Sequence, residues 1–393
     1  MIAHSPDSRD LVEDVHLVKN PYVGAVAVII VAFRNSQDLD RCLQSLRLLN
    51  PEPPFAVFIC ENGGFDAFDR LVETLIARQG PCDPDDATPT LASARLSRVR
   101  RLRLRTLDHA GSVMVHVGEA RENLGYAGGV NAFLEPLLDQ SAYAGFWILN
   151  PDTQPFPDAL TALVEYADRH HRGMVGSRLV QRHKFDVVQG RGLIWRRWRA
   201  STLLVDWLSP AAPLVPHLEV QLDSPSGASL YVTRDLVTRI GLMDERYFLY
   251  FEDLDWGFRA KRHGPVGYAD RSVVVHEGGT TIGSAISRGQ GSELATFLDF
   301  RNRILFVQRY FPGWLAWTVL VGLLEIVDYW RLCAFRSSFA ALRGMLAGLL
   351  GRTGRPGEGD RAPRRGIRAQ GGALGSRSPT PSTSARGRCE ATD

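Results

Sequence analysis

Three groups of side chains in this 393-residue chain could act on a charged substrate. Glu252-Asp253-x-Asp255 is a dense acidic cluster behind an aromatic run. A carboxylate held in a cleft can take the proton of an attacking hydroxyl. The same acids would equally steady the first turn of a helix by opposing its dipole. Asn150-Pro151-Asp152 ends an apolar segment on a single carboxylate. Mg2+ is usually held by one or two carboxylates together with phosphates, and Mn2+ also takes oxygen ligands. An Asx turn begun by Asp152 would read the same way. His276 closes a Val-rich run, where a histidine near a metal carboxylate becomes a candidate mixed-ligand partner.

Three weaker signals accompany these. Glu61 follows an apolar run and could accept hydrogen bonds from a base or a ribose, or be a solvated loop acid. Asn123-Leu124-Gly125-Tyr126-Ala127-Gly128-Gly129 has three glycines that would let a backbone approach a ligand, or merely make a tight strand-helix turn. The segment Phe33-Arg34-Asn35-Ser36 follows the first apolar run and could line a pocket or cap a helix.

The elements that must position these groups read as alternating strands and helices. Residues 23–33 are an unbroken apolar run rich in Val and Ile, which predicts a buried parallel strand. Leu39, Leu43, Leu46 and Leu49 then mark one face of a helix. Residues 55–60 predict a second strand, and residues 65–78 a second helix. This opening predicts an α/β doubly wound sheet, in which ligands bind beyond the carboxyl ends of the strands. Further strands are predicted at 113–117, 146–149, 227–233 and 267–276. Helices are predicted at 130–138, from about 158, at 234–240 and up to 263. Residues 80–110 break the rhythm with Pro, Asp and then six Arg, which predicts an insertion or long loop, partly helical. The cluster Trp195-Arg196-Arg197-Trp198-Arg199 fits either a strand or a membrane-facing loop.

Residues 307–350 read as a helical segment. The stretch 314–335 is apolar but interrupted by Glu325, Asp328 and Arg331. It falls short of the roughly 20 apolar residues of a membrane span, so it predicts an interfacial or packed helix. Trp314, Trp317, Tyr329 and Trp330 suit a membrane interface, and Arg331, Arg336 and Arg343 suit anionic lipid. Packing on the catalytic domain, or on a second copy in a homo-oligomer, fits the pattern equally.

Composition narrows the class. Hydrophobic residues make up 45% and charged residues 23%, enough for a sizeable core. The net charge is +3, yet residues 351–393 carry nine Arg against four acids, leaving 37 basic and 39 acidic residues elsewhere. The near-neutral body argues against nucleic acid as a partner. The Gly-, Pro-, Ser- and Arg-rich tail predicts disorder. Residues 1–20 are polar, without the apolar core of a secretory signal, and read as a flexible N-terminus. Five cysteines without a CxxC or zinc spacing read as reduced thiols of a cytoplasmic protein, peripheral at most to the inner membrane face.

Taken in order, Val31-Ala32-Phe33-Arg34-Asn35, Glu61-Asn62-Gly63, Asn123 through Gly129 with Val130-Asn131, Asn150-Pro151-Asp152, Tyr250-Phe251-Glu252-Asp253-Leu254-Asp255 and His276 resemble the motifs of family-2 inverting glycosyltransferases, rhamnosyltransferase-like branch. The resemblance covers about residues 23–306. It implies a GT-A fold: a Rossmann-like, mostly parallel sheet flanked by helices, with a catalytic domain over 21–306 and the helical segment after it. It also implies a divalent metal, Mn2+ or Mg2+, on Asp152 and His276. Asp253 would be the catalytic base, assisted by Glu252, and Asp255 and Trp256 would meet the acceptor. Ala32, Phe33, Asn35, Glu61, Asn123, Gly128, Asn131 and Asn150 would surround the nucleotide-sugar. The implied reaction moves a sugar, rhamnose from dTDP-rhamnose first and a UDP-sugar next, to a glycan or lipid-linked acceptor in cell-surface polysaccharide synthesis. The family usually has Asp where Glu61 stands. A sugar nucleotidyltransferase shares a similar sheet but usually has a glycine-rich loop after the first strand, and Ala32-Phe33-Arg34-Asn35 has none. A non-catalytic nucleotide-sugar or glycan-binding module would not need Asp152, Asp253 and His276 together.

Overall fold

A computed structural model of the chain describes residues 24–89, 91, 93–106, 113–182, 184–210, 218–277 and 292–357. The segments expected to be a flexible N-terminus (1–20) and most of the basic tail (from 358) lie outside the described residues. The chain opens with β1 (Ala25–Ala32), α1 (Ser36–Leu46), β2 (Phe55–Glu61) and α2 (Phe65–Ile76). Every residue of β2 and all but the first of β1 are buried, as unbroken Val/Ile-rich runs demand when both sheet faces are covered. Next come β3 (Cys82–Asp85), β4 (Leu96–Leu104), β5 (Val113–Ala120), α3 (Gly125–Leu138), β6 (Tyr143–Leu149), β7 (Thr153–Pro155) and α4 (Ala159–His170). The middle of the chain supplies β8 (Met174–Gln181), β9 (Lys184–Gly190), β10 (Leu193–Arg196), β11 (Ser201–Leu204), β12 (Ser209–Pro210), the single turn α5 (Leu218–Gln221), β13 (Ser229–Thr233) and α6 (Arg234–Ile240). Last are α7 (Glu252–Ala260), β14 (Gly267–His276), α8 (Glu293–Tyr310), α9 (Leu315–Arg331) and α10 (Phe335–Leu349).

The strands β5, β2, β1 and β6 form the parallel centre of a mixed sheet. β13 lies antiparallel between β6 and β8. β14 runs parallel to β8 and antiparallel to the short β7. Helices α1, α2 and α4 bury Leu43, Phe68 and Leu163 against one face, and α3, α6 and α7 bury Phe133, Leu236 and Trp256 against the other. This is the α/β architecture expected, a sheet flanked by helices on both faces. The register sets the site: Ala32 pairs with Glu61, and His276 with Thr153, next to Asp152.

Two expectations need correction. The described residues of 80–110 include no helix: β3 and β4 extend the sheet as antiparallel edge strands beside β5. A register shift between Leu96 and Arg98 and the density of Arg hid the two-residue alternation. The glycine-rich segment is not a loop before a helix at 130, because α3 already begins at Gly125. The ambiguous Trp-Arg cluster resolves into a small separate hairpin, with Trp195 of β10 opposite Thr202 of β11 and Trp198 in the turn between.

Gly125 is required by its surroundings. Its φ is +73°, and a Cβ there would lie 2.2 Å from the Phe248 carbonyl oxygen, which accepts from the Tyr126 amide at 2.7 Å. Gly125→Ala should therefore cost about 2 kcal/mol or more, from left-handed strain plus the backbone clash. The urea unfolding midpoint measures this; an unchanged midpoint would refute the account.

Candidate active site

Beyond the carboxyl ends of the central strands lies a cavity of about 520 Å³. Its walls include Phe33 after β1, Asn123 before α3, Asn150 and Asp152 after β6, Glu252 and Asp253 at the start of α7, and His276 at the end of β14. Seven of the residues singled out in the sequence thus meet in one space, drawn from five places in the chain.

At one end, the His276 Nε2 lies 3.5 Å from Asp152 Oδ1. His276 Nδ1 is 2.8 Å from Gln189 Oε1 of β9. An amide oxygen can only accept, so Nδ1 would be the donor to Gln189, which orients the ring with Nε2 toward Asp152. Orientation of a histidine through its far nitrogen is the usual support of a metal ligand. Among the described residues no group of three or more His, Cys, Asp or Glu could enclose a metal. One carboxylate and one imidazole nevertheless fit an Mn2+ or Mg2+ whose remaining ligands are phosphate and water. Asn150 is held by Tyr126, whose hydroxyl contacts both Asn150 Oδ1 and the Gly227 carbonyl at 2.9 Å.

At the other end, Asp253 Oδ2 accepts from the Gly227 amide at 3.0 Å and Oδ1 from the Leu254 amide at 2.7 Å. Burial pushes its carboxyl above the ordinary value, against those two amides. Glu252 is pushed well above its own value, first by burial and then by the charge of Asp253. Its Oε2 is buried without a hydrogen-bond partner. Both carboxyls are thus biased toward the protonated form by burial, and Glu252 more strongly, because the charge of Asp253 adds to its own desolvation.

The turn that delivers them is unusual. Phe248, Tyr250 and Phe251 all have left-handed φ values, 64°, 68° and 74°. Sequence reasoning missed what holds it. Asn302 of α8, fully buried, donates from Nδ2 to the carbonyls of Tyr247 (2.9 Å), Leu249 (2.8 Å) and Tyr250 (2.9 Å). Arg301 beside it donates to Tyr247 O at 2.8 Å and Gly354 O at 2.7 Å. Gln189 was also missed. A lone polar residue in a β-strand or a helical Arg-Asn pair carries no sequence signal that separates it from surface.

The remaining expected residues lie off the cavity wall. Asp255 is fully buried between Arg259 (2.9 Å), Arg309 (3.0 Å) and the Tyr310 hydroxyl (2.8 Å). Trp256 is core, its Nε1 donating to Gly241 O. Acceptor contact by either is corrected accordingly: one is spent on neighbouring cations, the other on packing. Asn131 ties α3 to Met243 and Glu245. Gly128 faces Leu124 and Glu245. Ala32 is enclosed in the sheet. Asn35 accepts from the Phe33 amide at 3.0 Å. Glu61 turns its Oε1 back to the amides of Arg34 (3.1 Å) and Gly63 (2.6 Å), shaping the loop that presents Phe33.

No family model matches the chain. It is 23% identical over 250 residues to the low-salt glycan biosynthesis hexosyltransferase Agl10 of Haloferax volcanii, covering 62% of this chain and 78% of that protein. It is 26% identical over 321 residues to the N-acetylglucosaminyl-diphospho-decaprenol L-rhamnosyltransferase of Mycobacterium tuberculosis, covering 74% of this chain and 88% of that one. Among solved structures, GalNAc-T7 with UDP, GalNAc and Mn2+ aligns with a TM-score of 0.48 at 12% identity, over 74% of this chain and 49% of that chain. The mannosyltransferase PcManGT of Pyrobaculum calidifontis with GDP-Man and Mn2+ aligns with a TM-score of 0.41 at 16% identity, over 83% and 76%.

Carbon-13 NMR of the side-chain carboxyls tests the electrostatics of the site without any substrate. Asp253 should titrate above 3.8 and Glu252 well above 4.5. Glu252→Gln should remove the higher titration and leave that of Asp253 in place. A pair of ordinary carboxylate titrations would refute the assignment.

Proposed function

We propose that this glycosyltransferase, which resembles the rhamnosyltransferase branch of family 2, inverts the anomeric centre as it moves a hexose from a nucleoside diphosphate to an acceptor hydroxyl. One observation carries the reading: a single cavity has an Asp-His pair at one end and, at the other, two adjacent buried carboxyls, of which Asp253 is fixed by two backbone amides. Phe33, Asn123 and Asn150 would border the nucleotide, and Asp152 and His276 would hold a divalent metal. When bound, that metal supplies positive charge to the departing diphosphate.

The chain's own residues do the rest. Asp253, fixed by two backbone amides, takes the proton of the acceptor hydroxyl. The oxygen so freed forms a bond to the anomeric carbon from the face opposite the diphosphate. The bond to the diphosphate breaks, and its electron pair leaves with the phosphate oxygen. Glu252, whose carboxyl burial biases toward the protonated form, would offer a hydrogen bond to a sugar or acceptor oxygen. One displacement with one base inverts the configuration. dTDP-rhamnose is the first donor to try, and a lipid-linked glycan the acceptor class.

The same reading extends to a membrane surface. An 18-residue window within Pro312–Arg331 has a mean hydropathy of 1.2, yet only 17% of that window is buried. Leu320, Leu324, Val327 and Trp330 of α9 and Phe339, Leu346 and Leu350 on or just after α10 are exposed. Trp198, 73% exposed, stacks edge-on against Trp314 and Trp317 at one end of this face. Arg336 and Arg352 are exposed beside it, and the nine Arg of residues 351–393 follow in sequence. That charge favours anionic lipid and opposes bringing two copies of the face together.

Two experiments test these readings. With dTDP-rhamnose and Mn2+, Asp253→Asn should lower turnover by at least about 10²-fold and leave donor binding nearly unchanged. Gln189→Ala should weaken Mn2+-dependent dTDP binding about 10–100-fold by freeing the His276 ring. Wild-type turnover in Asp253→Asn, or retained anomeric configuration by NMR, would sink the mechanism. Release of pyrophosphate instead of nucleoside diphosphate would mean nucleotidyl transfer. For the membrane, flotation with phosphatidylglycerol-containing vesicles should recover the protein, and the double variant Leu324→Asp/Trp330→Asp should not float. Recovery of both proteins, or of neither, would overturn the lipid assignment.

A further inference from the structure

The turn before Glu252 and Asp253 presents four consecutive backbone carbonyls that regular structure does not satisfy. Each has a partner elsewhere. Tyr247 O accepts from Arg301 and Asn302, Phe248 O from the Tyr126 amide, and Leu249 O and Tyr250 O from Asn302. Buried carbonyls left unpaired would each cost free energy comparable to a lost hydrogen bond. Three non-glycine residues of the turn also hold left-handed φ values, which persist only where surroundings over-determine them. The partners come from two directions. α3 supplies one amide, and α8 supplies two side chains that are almost wholly buried.

We propose that Asn302 and Arg301 are positioning residues that fix the turn from Tyr247 to Phe251 and thereby set Glu252 and Asp253 in the cavity. This rests on the function proposed above for the two acids. Asn302 does the larger share, because its one amide spans three carbonyls of the turn. Arg301 ties the turn to a second anchor. Its guanidinium donates to Gly354 O, and the Gly354 amide donates to Arg246 O at 2.7 Å. The chain after α10 therefore closes the network from outside.

The scaffold under this network is close-packed. A Cβ at Gly344 of α10 would lie 2.2 Å from Phe297 O of α8, and one at Gly348 would lie 2.7 Å from Arg301 O. These two glycines bring α10 against the backbone of α8 at the level of Arg301. Phe248, which lines the cavity, packs against Phe297, Ala340 and Ala347 of the same helix pair. The turn is thus gripped by side-chain donors on its carbonyl side and by apolar contact at Phe248.

Asn302→Ala and Arg301→Lys test the proposal. Lysine keeps the charge but not the planar fork, so it is the gentler change if the alanine variant folds poorly. Loosening the turn should let water reach Asp253, so its NMR titration should move down toward 3.8 in both variants, more in Asn302→Ala. The acid limb of kcat/KM should move down with it. In Asn302→Ala, kcat should fall about 10²-fold while Mn2+-dependent dTDP binding stays within a few-fold. Asn302→Gln, which keeps the donor group, should recover part of kcat. A folded Asn302→Ala or Arg301→Lys with the wild-type titration and wild-type acid limb would overturn the proposal. If no variant, and not the wild type, turned over dTDP-rhamnose, the functional reading would fail, while the Asp253 titration would still decide the positioning role.

Discussion

Buried carboxylates govern this molecule. Glu61, Asp152, Glu252 and Asp255 are each less than a tenth exposed, and Asp253 is partly buried beside them. A charge taken out of water must be paired, hydrogen-bonded or neutralised. Each acid meets that demand differently, and the difference separates structure from chemistry. Asp255 is saturated by two guanidiniums and a tyrosine hydroxyl, so no capacity is left for a substrate. Glu61 gives one oxygen to two backbone amides and shapes a loop. Asp152 lies 3.5 Å from the His276 imidazole, on the cavity wall. Asp253 has two amides and an open side on the cavity, and the Glu252 carboxyl is pushed well above its ordinary value by burial.

That ordering explains which parts of the site were legible in the sequence. Strand ends are readable because an unbroken apolar run stops abruptly at a polar residue. β1, β6 and β14 therefore delivered Phe33, Asn150, Asp152 and His276 to the places expected for them. The acids at 252 and 253 were readable as a cluster. Asp255 belongs to the same cluster by sequence, but it lies three residues beyond Glu252, on a helix face turned toward α8 and its C-terminal Tyr310. Spacing alone could not tell it from its neighbours, because what differs is the cations brought by Arg259 and Arg309. Asn131 and Gly128 failed for a related reason. A helix that begins at Gly125 turns both toward the segment 243–245.

The residues missed altogether are those that act on backbone or through another side chain. Gln189 sits on β9, where nothing in its neighbours marks it, and only the fold brings it to His276. Arg301 and Asn302 lie on α8, which is buried on almost every side, with eleven of eighteen residues enclosed. Such a helix lacks the one-sided apolar stripe that would flag inward polar residues as exceptions. The edge strands β3 and β4 were obscured in another way. Arg98 and Arg101 of β4 pair with Glu119 and Asp85, and Arg105 just after β4 pairs with Asp83, so charge that read as a solvated insertion is absorbed within the sheet and its flanking strands.

The two ends of the cavity also differ in how they are built, and the difference follows from what each must do. His276 ends β14 and pairs with Thr153 of β7, and Asp152 is the residue immediately before β7, so the antiparallel ladder sets their separation. That suits the metal-holding role proposed for them, in which their separation must stay fixed. Glu252 and Asp253 hang from a turn in left-handed backbone, a conformation that strands and helices cannot supply. It places two acids at the mouth of α7 with both Asp253 oxygens on amides, but it leaves four carbonyls to be satisfied from outside. A sheet can settle its own polar groups; this turn cannot. The helices after β14 thus have a part in the site although none of their acids or histidines lies in it: they close the backbone account of the turn that holds the two acids.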